Sequence, residues 1–300
     1  MIGVLQAPPF ATLQDLGFPS GRAWGLPRCG AMDPLMLKLA NGLVGNPPHA
    51  AAIEWALGPG ALRAETALRL AVVGLASVAV DGVVLDPPAL CFAVPAGAVL
   101  DIAPGVQRYS YVAVQGGFAV PALLGSRSTY LPGGFGGFAG RRLRAGDRLP
   151  VGVLRRGGST HDVVVPETLA WEDEEMEIRV VRGPQWERFE PAAQERFFAA
   201  HYQVDAASDR LGYRLAGPSV APREQATLPS EAACPGAVQV PDGGQPIVLM
   251  PDGPTVGGYP KLAVVIQADL RKLAQCRPGR TVRFREVSLE AARACYSEDR

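Results

Sequence analysis

A mainly β fold with a few short helices is the architecture this sequence predicts, and three observations carry it. Glycine (35) and proline (28) crowd a chain of 300 residues, about a fifth of it against roughly an eighth in average usage. With no G-x-y period, that excess means many turns. The apolar runs are short and end in Gly, Pro or Asp, as strands separated by turns do. Asp81-Gly82 lies between two such runs, 77–80 and 83–85, the signal of a type I′ hairpin.

In chain order, residues 68–73, 77–80, 98–102 and 109–114 read as strands, and the second half repeats the texture at 177–182, 246–250, 262–266 and 281–287. Residues 33–44 read as a helix, with Asp33 as N-cap, Pro34 at the first position and Gly45 as its stop. Leu35, Met36, Leu39 and Leu43 fall on one face at helical spacing. Two more helices are expected over 191–200 and 269–275. A polar stretch from 157–162 to Trp171-Glu-Asp-Glu-Glu-Met176 reads as a linker or a solvated loop. Leu143-Arg-Ala-Gly-Asp-Arg-Leu149 and Cys276-Arg-Pro-Gly-Arg-Thr-Val282 share a turn at x-Gly running into a strand, an echo late in each half.

Composition narrows the function classes. Apolar residues make up 48% and charged residues 19%, which fits a globular chain able to bury a core. The 29 acids balance the 29 bases, so neither nucleic acid nor an anionic membrane is the expected partner. Cys29, Cys91, Cys234, Cys276 and Cys295 are scattered with no CxxC pair, and His49, His161 and His201 stand at no ligand spacing. No metal site and no disulfide framework is expected. The opening residues lack a basic segment and a long apolar core, and every apolar run falls short of a membrane span. A soluble cytoplasmic protein is the expectation.

Four blocks use polar residues and glycines in ways that core packing does not require. The first, Thr12-Leu-Gln-Asp-Leu-Gly17 through Gly21-Arg22 to Asp33-Pro34, reads as a long loop ending at a helix N-terminus, where an anion or the Asp33 cap itself can sit. The second is Gly125-Ser-Arg-Ser-Thr129 followed by the glycine-rich 133–140. That segment lacks the Gly-Lys-Ser/Thr ending of a phosphate loop and reads as a structural loop, a lid or a close approach to a ligand. Arg127 suits a carboxylate. The third is Ser208-Asp-Arg-Leu-Gly-Tyr-Arg214, after Gly183-Pro-Gln185. Here Arg210 and Arg214 share one strand face, or else Asp209 holds a turn with both arginines in water. In the fourth, spanning Pro235–Pro241 and then 244–261, an apolar strand delivers Asp252 into a Gly/Pro loop that returns through Tyr259 and Lys261. No block holds a nucleophile–base–orienter trio.

Taken in order, these blocks resemble the KipA / allophanate hydrolase subunit 2 family, to which the C subunit of bacterial 5-oxoprolinase belongs. The carrying residues also include Gly30-Ala-Met-Asp-Pro34, Leu39-Ala-Asn41, Val44-Gly-Asn46, Ala52-Ile-Glu54, Gly244-Gln-Pro-Ile-Val-Leu249 and Gly257-Gly-Tyr-Pro-Lys261. The resemblance implies two tandem cyclophilin-like β-barrel halves, placed at 1–165 and 176–290. It implies a KipI / allophanate hydrolase subunit 1-type partner and the LamB/YcsF-type A subunit of 5-oxoprolinase. With these the complex opens 5-oxoproline to glutamate using ATP, and the chain alone is expected to be inactive. Two alternatives stand beside this reading: a carboxyltransferase subunit of a biotin-dependent urea or amide carboxylase, and a KipA-type regulatory binder that relieves inhibition of a histidine kinase. Asp252-Gly-Pro-Thr-Val-Gly-Gly-Tyr259 resembles the carboxylase form of its loop as much as the stand-alone form.

The first and fourth blocks are expected to share a cleft for a small amide or lactam bearing a carboxylate. Asp15 or Asp252 is the candidate proton carrier and Arg22 or Lys261 the candidate anion partner. Gln14, Asp33, Arg127, Gln245 and Tyr259 complete the set. The structural alternative is that the aspartates hold turns.

Overall fold

The computed structural model describes residues 1–74, 77–85, 91–103, 105, 107–153, 175–223 and 228–298. The chain divides into two compact units, one of Met1–Ser20 with Cys29–Trp171 and one of Gly21–Arg28 with Glu172–Arg300. The polar stretch expected to be a linker lies almost wholly outside the described residues.

Unit 1 contains β1 (Ile2–Gln6), β2 (Phe10–Gln14), α1 (Pro34–Leu43), β3 (Ala52–Ala56), β4 (Gly60–Ala64), β5 (Leu68–Val73), β6 (Ser77–Val80), β7 (Val83–Val84), β8 (Cys91–Val94), β9 (Val99–Ala103), β10 (Tyr109–Val114) and β11 (Arg148–Leu149). They form two antiparallel sheets, in the orders β11-β1-β4-β9-β6-β7 and β2-β3-β10-β5-β8. Alternation places Ile2, Val4, Leu62, Leu100 and Ile102 of one sheet in a common core with Leu13, Ile53, Trp55, Val72 and Val112 of the other. The Asp81-Gly82 hairpin has positive φ at both turn residues (49° and 80°), as a type I′ turn requires.

β3 and β10 are buried on both faces because α1 packs on the side away from that core. Met36, Leu37, Leu39 and Ala40 are its buried apolar residues, whereas Leu35 and Leu43 are only partly covered. The inward stripe is therefore rotated from the leucine repeat that the spacing suggested. Asp33 caps the helix, its Oδ1 accepting from Met36 N at 3.2 Å.

Unit 2 contains β12 (Glu175–Arg182), α2 (Pro191–Ala199), β13 (Tyr202–Val204), β14 (Gly212–Ala216), β15 (Glu231–Ala232), β16 (Ala237–Gln239), β17 (Ile247–Leu249), β18 (Val256–Gly257), β19 (Lys261–Val265), α3 (Gln267–Gln275), β20 (Thr281–Glu286) and α4 (Leu289–Glu298). Seven strands close a barrel in the order β12-β19-β16-β17-β14-β13-β20, and a parallel β12–β20 pair makes the seam. β15 and β18 pair only with each other, as a separate two-stranded ribbon.

The two echo segments are turns into strands, with Gly146 at φ 90° and Gly279 at φ 85°. They then differ, because β11 pairs antiparallel with β1 while β20 pairs parallel with β12.

Helices fasten to the barrel by packing and by charge. Phe197 of α2 is fully buried and stacks on Phe284 of β20 at 4.5 Å between ring centroids, with Tyr202 alongside. Arg179 of β12 grips the buried Asp269 of α3 with Nε at 2.9 Å and Nη2 at 2.7 Å, while its backbone N donates to the same carboxylate at 2.8 Å. Burial acts most strongly on that carboxyl and pushes its pKa up. The side-chain and backbone bonds from Arg179, helped by Lys272, outweigh it and hold the pKa below the ordinary Asp value.

Both fastenings can be tested by unfolding the whole chain. Phe197→Ala should cost about 3–5 kcal/mol, read from urea unfolding. Asp269 has a depressed folded pKa, so its stabilisation is present above the ordinary Asp value and fades as pH falls through the lower folded one. Unfolding midpoints of Asp269→Asn should accordingly lie below wild type at neutral pH and converge with it in strong acid. A gap that persists in acid would count against the ion pair.

Candidate functional site: a polar cluster at the rim of the barrel

Of the residues selected from the sequence, unit 1 holds Gln14, Asp15, Asp33 and Arg127. Thr12, Leu13 and Gln14 lie in β2, not in a loop as the sequence suggested, and the loop begins at Asp15. Asp15 Oδ1 accepts from Gly17 N (2.8 Å), Ser126 Oγ (2.6 Å) and Ser128 Oγ (2.6 Å), and its Oδ2 accepts from Arg127 N (2.6 Å). The carboxylate thus clasps the 15–17 turn to the Ser126-Arg-Ser128 segment. Arg127 Nε donates to Val120 O at 2.8 Å. Gln14 is fully buried; its Nε2 donates to Thr12 Oγ1 and Thr129 O, and its Oε1 has no partner.

The glycine-rich 133–140 segment packs as a structural loop. A Cβ at Gly136 would stand 2.1 Å from Ser128 O, and one at Gly137 1.8 Å from Thr129 Oγ1. These glycines exist for close approach to the chain's own atoms. A second polar knot lies under α1, where Glu54 Oε2 accepts from Tyr111 Oη (2.7 Å) and Met32 N (2.8 Å). Burial, then the nearby Glu54 and Asp33 charges, push the Tyr111 pKa well above its ordinary value, so it stays a neutral donor.

Unit 2 holds Arg22, Gln245, Asp252, Tyr259 and Lys261. Arg22 lies in a 3-10 turn, Gly21–Trp24, and its Nη2 donates to Ala233 O, while Thr255 Oγ1 donates to Gly25 O at 3.2 Å. Gln245 pairs with both backbone groups of Gly217 (3.2 and 3.1 Å). Asp252 is buried and takes a two-bond grip from Arg210, Nε to Oδ2 and Nη2 to Oδ1, each 2.8 Å. Asp252 N also donates to Arg210 O at 2.9 Å. Arg210 and Arg214 do not share a face: Arg210 turns inward to Asp252, and Arg214 is exposed. The reason is Asp209, whose Oδ1 accepts from Leu211 N and Gly212 N and holds Arg210 in a turn ahead of β14.

Lys261 is where polar groups converge. It begins β19, its side chain is 6% exposed, and its ammonium pairs with Glu231 of the ribbon. Gln185 joins the same carboxylate, Nε2 to Glu231 Oε1 at 2.7 Å, and its Oε1 accepts from Lys261 N at 3.0 Å. Gly183 makes this possible, because a Cβ there would strike Lys261 O at 2.1 Å. The Gly183-Pro-Gln185 motif is therefore a platform for Lys261. Directly across the sheet, Gln239 of β16 is the register partner of Lys261, so both side chains rise from the same face. Gln239 is 5% exposed and its Nε2 has no hydrogen-bond partner. Gly257 of the ribbon lies over that amide, and a Cβ at Gly257 would sit 2.7 Å from Nε2. Tyr259 is 46% exposed two residues away in the chain.

Lys261, through the hydrogen bond and its charge, holds the Glu231 pKa below the ordinary carboxylate value; slight burial opposes this and Gln185 assists. Glu231 and Gln239 were not among the residues picked from sequence. The run Val238-Gln-Val240 did carry a signal for Gln239, a lone polar residue flanked by apolar ones in a strand; Glu231 carried none.

Among the described residues no His/Cys/Asp/Glu group is arranged to hold a metal ion, and no helix is long and apolar enough to cross a membrane. What unit 2 presents is a closed β-barrel whose rim carries the buried Lys261, its carboxylate partner Glu231 and an unsatisfied amide at Gln239. Residues 24–286 match the model of the carboxyltransferase domain, subdomain A and B, and the chain belongs to that family. It is 39% identical to the C subunit of 5-oxoprolinase from Escherichia coli (strain K12) over 297 residues, covering 97% of this chain and 93% of that one. The C subunit of 5-oxoprolinase from Haemophilus influenzae is 36% identical, with the same coverage. Among solved structures, the Kluyveromyces lactis urea carboxylase superposes with a TM-score of 0.92 at 28% identity, over 99% of this chain and 28% of that one. The mainly β fold and the family resemblance read from the motifs are both shown by these matches.

The buried clasp in unit 2 gives a prediction. Asp252→Ala removes the carboxylate from the buried Arg210 and should cost about 3–5 kcal/mol, and Asp252→Asn, which keeps one acceptor, less. Denaturant midpoints of the two variants against wild type are the measurement, and two midpoints at the wild-type value would refute the clasp.

Proposed function

We propose that this chain is the C-type subunit of an enzyme that opens the lactam of 5-oxoproline to glutamate, working with a KipI / allophanate hydrolase subunit 1-type protein and a LamB/YcsF-type A subunit. The observation that carries this reading is end-to-end likeness to two proteins named as C subunits of 5-oxoprolinase, each matched over 93% of its length. By contrast, the matched region is only 17% of the Lachancea kluyveri urea amidolyase, which is 33% identical.

The chemistry of the rim cluster suits the substrate. 5-Oxoproline carries a lactam and a carboxylate, and Lys261 supplies a buried cation for the second. Ring opening adds water across the lactam C–N bond, and ATP hydrolysis drives it. Gly133, Gly136, Gly137 and Gly140 of the glycine-rich segment are packed against the fold's own atoms, so we assign nucleotide use to the complex and route no step through ATP on this chain. Asp15 and Asp252 have their carboxylate oxygens engaged within the fold, which suits posts that hold loops; the part left to this chain is to bind and orient.

A second reading, a carboxyltransferase partner for carried biotin, is favoured by the 0.92 TM-score to urea carboxylase and by the form of the 252–259 loop. Mixing the purified chain with the two companion proteins decides between the readings. ATP-dependent glutamate formation from 5-oxoproline should appear only in the full mixture, with the chain alone silent. Turnover by the chain alone, or none by the mixture alongside carboxylation of a urea-like amide when biotin carboxylase and carrier are supplied, would overturn the proposal.

A further inference from the structure

Gln239 is a buried amide whose donor finds no partner in the fold, and buried polar groups are seldom left so. Its surroundings show what would satisfy it. The side-chain amide carries a donor and an acceptor on one edge. A cyclic amide, with N–H and C=O held on the same side of its ring, presents the complementary edge. Lys261, opposite on β19, stands beside it. Above lies the β15–β18 ribbon, which pairs with no barrel strand and is held at Glu231 by Lys261 and Gln185. At Gly257 this ribbon has no side chain where a Cβ would crowd the amide at 2.7 Å.

We propose that Gln239 is the specificity-determining residue of the Lys261 site. It reads the cis-amide edge of a lactam or ureido ring, and the β15–β18 ribbon covers it until the ligand's carboxylate displaces Glu231 from Lys261. In the unliganded chain Glu231 stands in for that carboxylate: it occupies the same cation and keeps the ribbon down. Exchange of one carboxylate for another preserves the buried charge pair, so opening does not strand Lys261 as an uncompensated cation. Gln185, bonded both to Glu231 and to the backbone of Lys261, guides the exchange. The proposal deepens the reading of 5-oxoproline as substrate and rests on it for the carboxylate; the amide-edge recognition applies to either ring.

The test is calorimetric binding of 5-oxoproline and of 2-imidazolidinone to the full chain, with KM for 5-oxoproline in the reconstituted complex. Loss of the two-bond amide edge in Gln239→Met should raise Kd and KM about tenfold or more with little change in kcat. Gly257→Ala, a separate variant at a conformation alanine tolerates, crowds the amide only in the covered state and should therefore lower Kd and KM several-fold. Glu231→Gln should bind 5-oxoproline and 2-imidazolidinone several-fold more tightly, because the ribbon is no longer held over Gln239. Turnover of 5-oxoproline with KM unmoved in Gln239→Met, or KM raised in Gly257→Ala, would overturn the site while leaving the proposed function intact. Gln239-dependent binding of 2-imidazolidinone with no binding or turnover of 5-oxoproline would uphold the amide recognition and sink the substrate reading. Weaker 5-oxoproline binding by Glu231→Gln would overturn the displacement.

Discussion

Closure of the seven-stranded barrel is the constraint on which unit 2 depends. In an open sheet a strand can slip by one residue at its edge, and a slip turns every side chain to the opposite face. A closed ring has no edge, so the pairings β12–β19, β19–β16 and β12–β20 must agree with one another. That agreement fixes Lys261 opposite Gln239 and holds an ammonium at 6% exposure where chance patterning would put an apolar residue. The local irregularity between Val238 and Gln239 falls at this pair, and bulges are a common way to re-aim a side chain near a site.

Around that frame, charge is spent on holding loops. Asp15 is saturated by two backbone N–H groups and two serine hydroxyls, and Asp252 by the fork of Arg210. Each carboxylate fixes a loop that glycine-rich sequence alone would leave mobile. Glu231 differs: its partner is a lysine, its side chain is 41% exposed, and it sits on a ribbon outside the barrel. A carboxylate in that position can be exchanged, whereas the other two cannot leave without stranding their donors.

Much of the fold was legible because strand signals are local. The runs at 68–73, 77–80 and 109–114 form strands at those bounds, and the Asp-Gly turn announced its hairpin. The rotation of α1 was not legible, since which stripe faces inward depends on the sheet it meets. β2 was hidden because its polar Thr12 and Gln14 are buried along with Ala11 and Leu13, so polarity does not mark an outward face. At the site, Gly183-Pro-Gln185 and Tyr259-Pro-Lys261 stood out as motifs, but their meeting at one backbone segment is a tertiary fact. Glu231 offered no cue, because a single glutamate after Pro229-Ser230 looks like surface. The aspartates drew attention for a sound reason, their place in Gly-rich loops, and the same feature explains why they are needed as clasps.

The most direct measurement of the claim that Gln239 and Lys261 form one ligand site is the side-chain amide signal of Gln239, followed by 15N–1H correlation as 5-oxoproline is added to the chain. The expected result is a saturable shift of both amide protons, absent in Lys261→Met, with the signals of the ribbon residues moving in parallel. A Gln239 amide that stays fixed while 5-oxoproline binds elsewhere on the chain would contradict it.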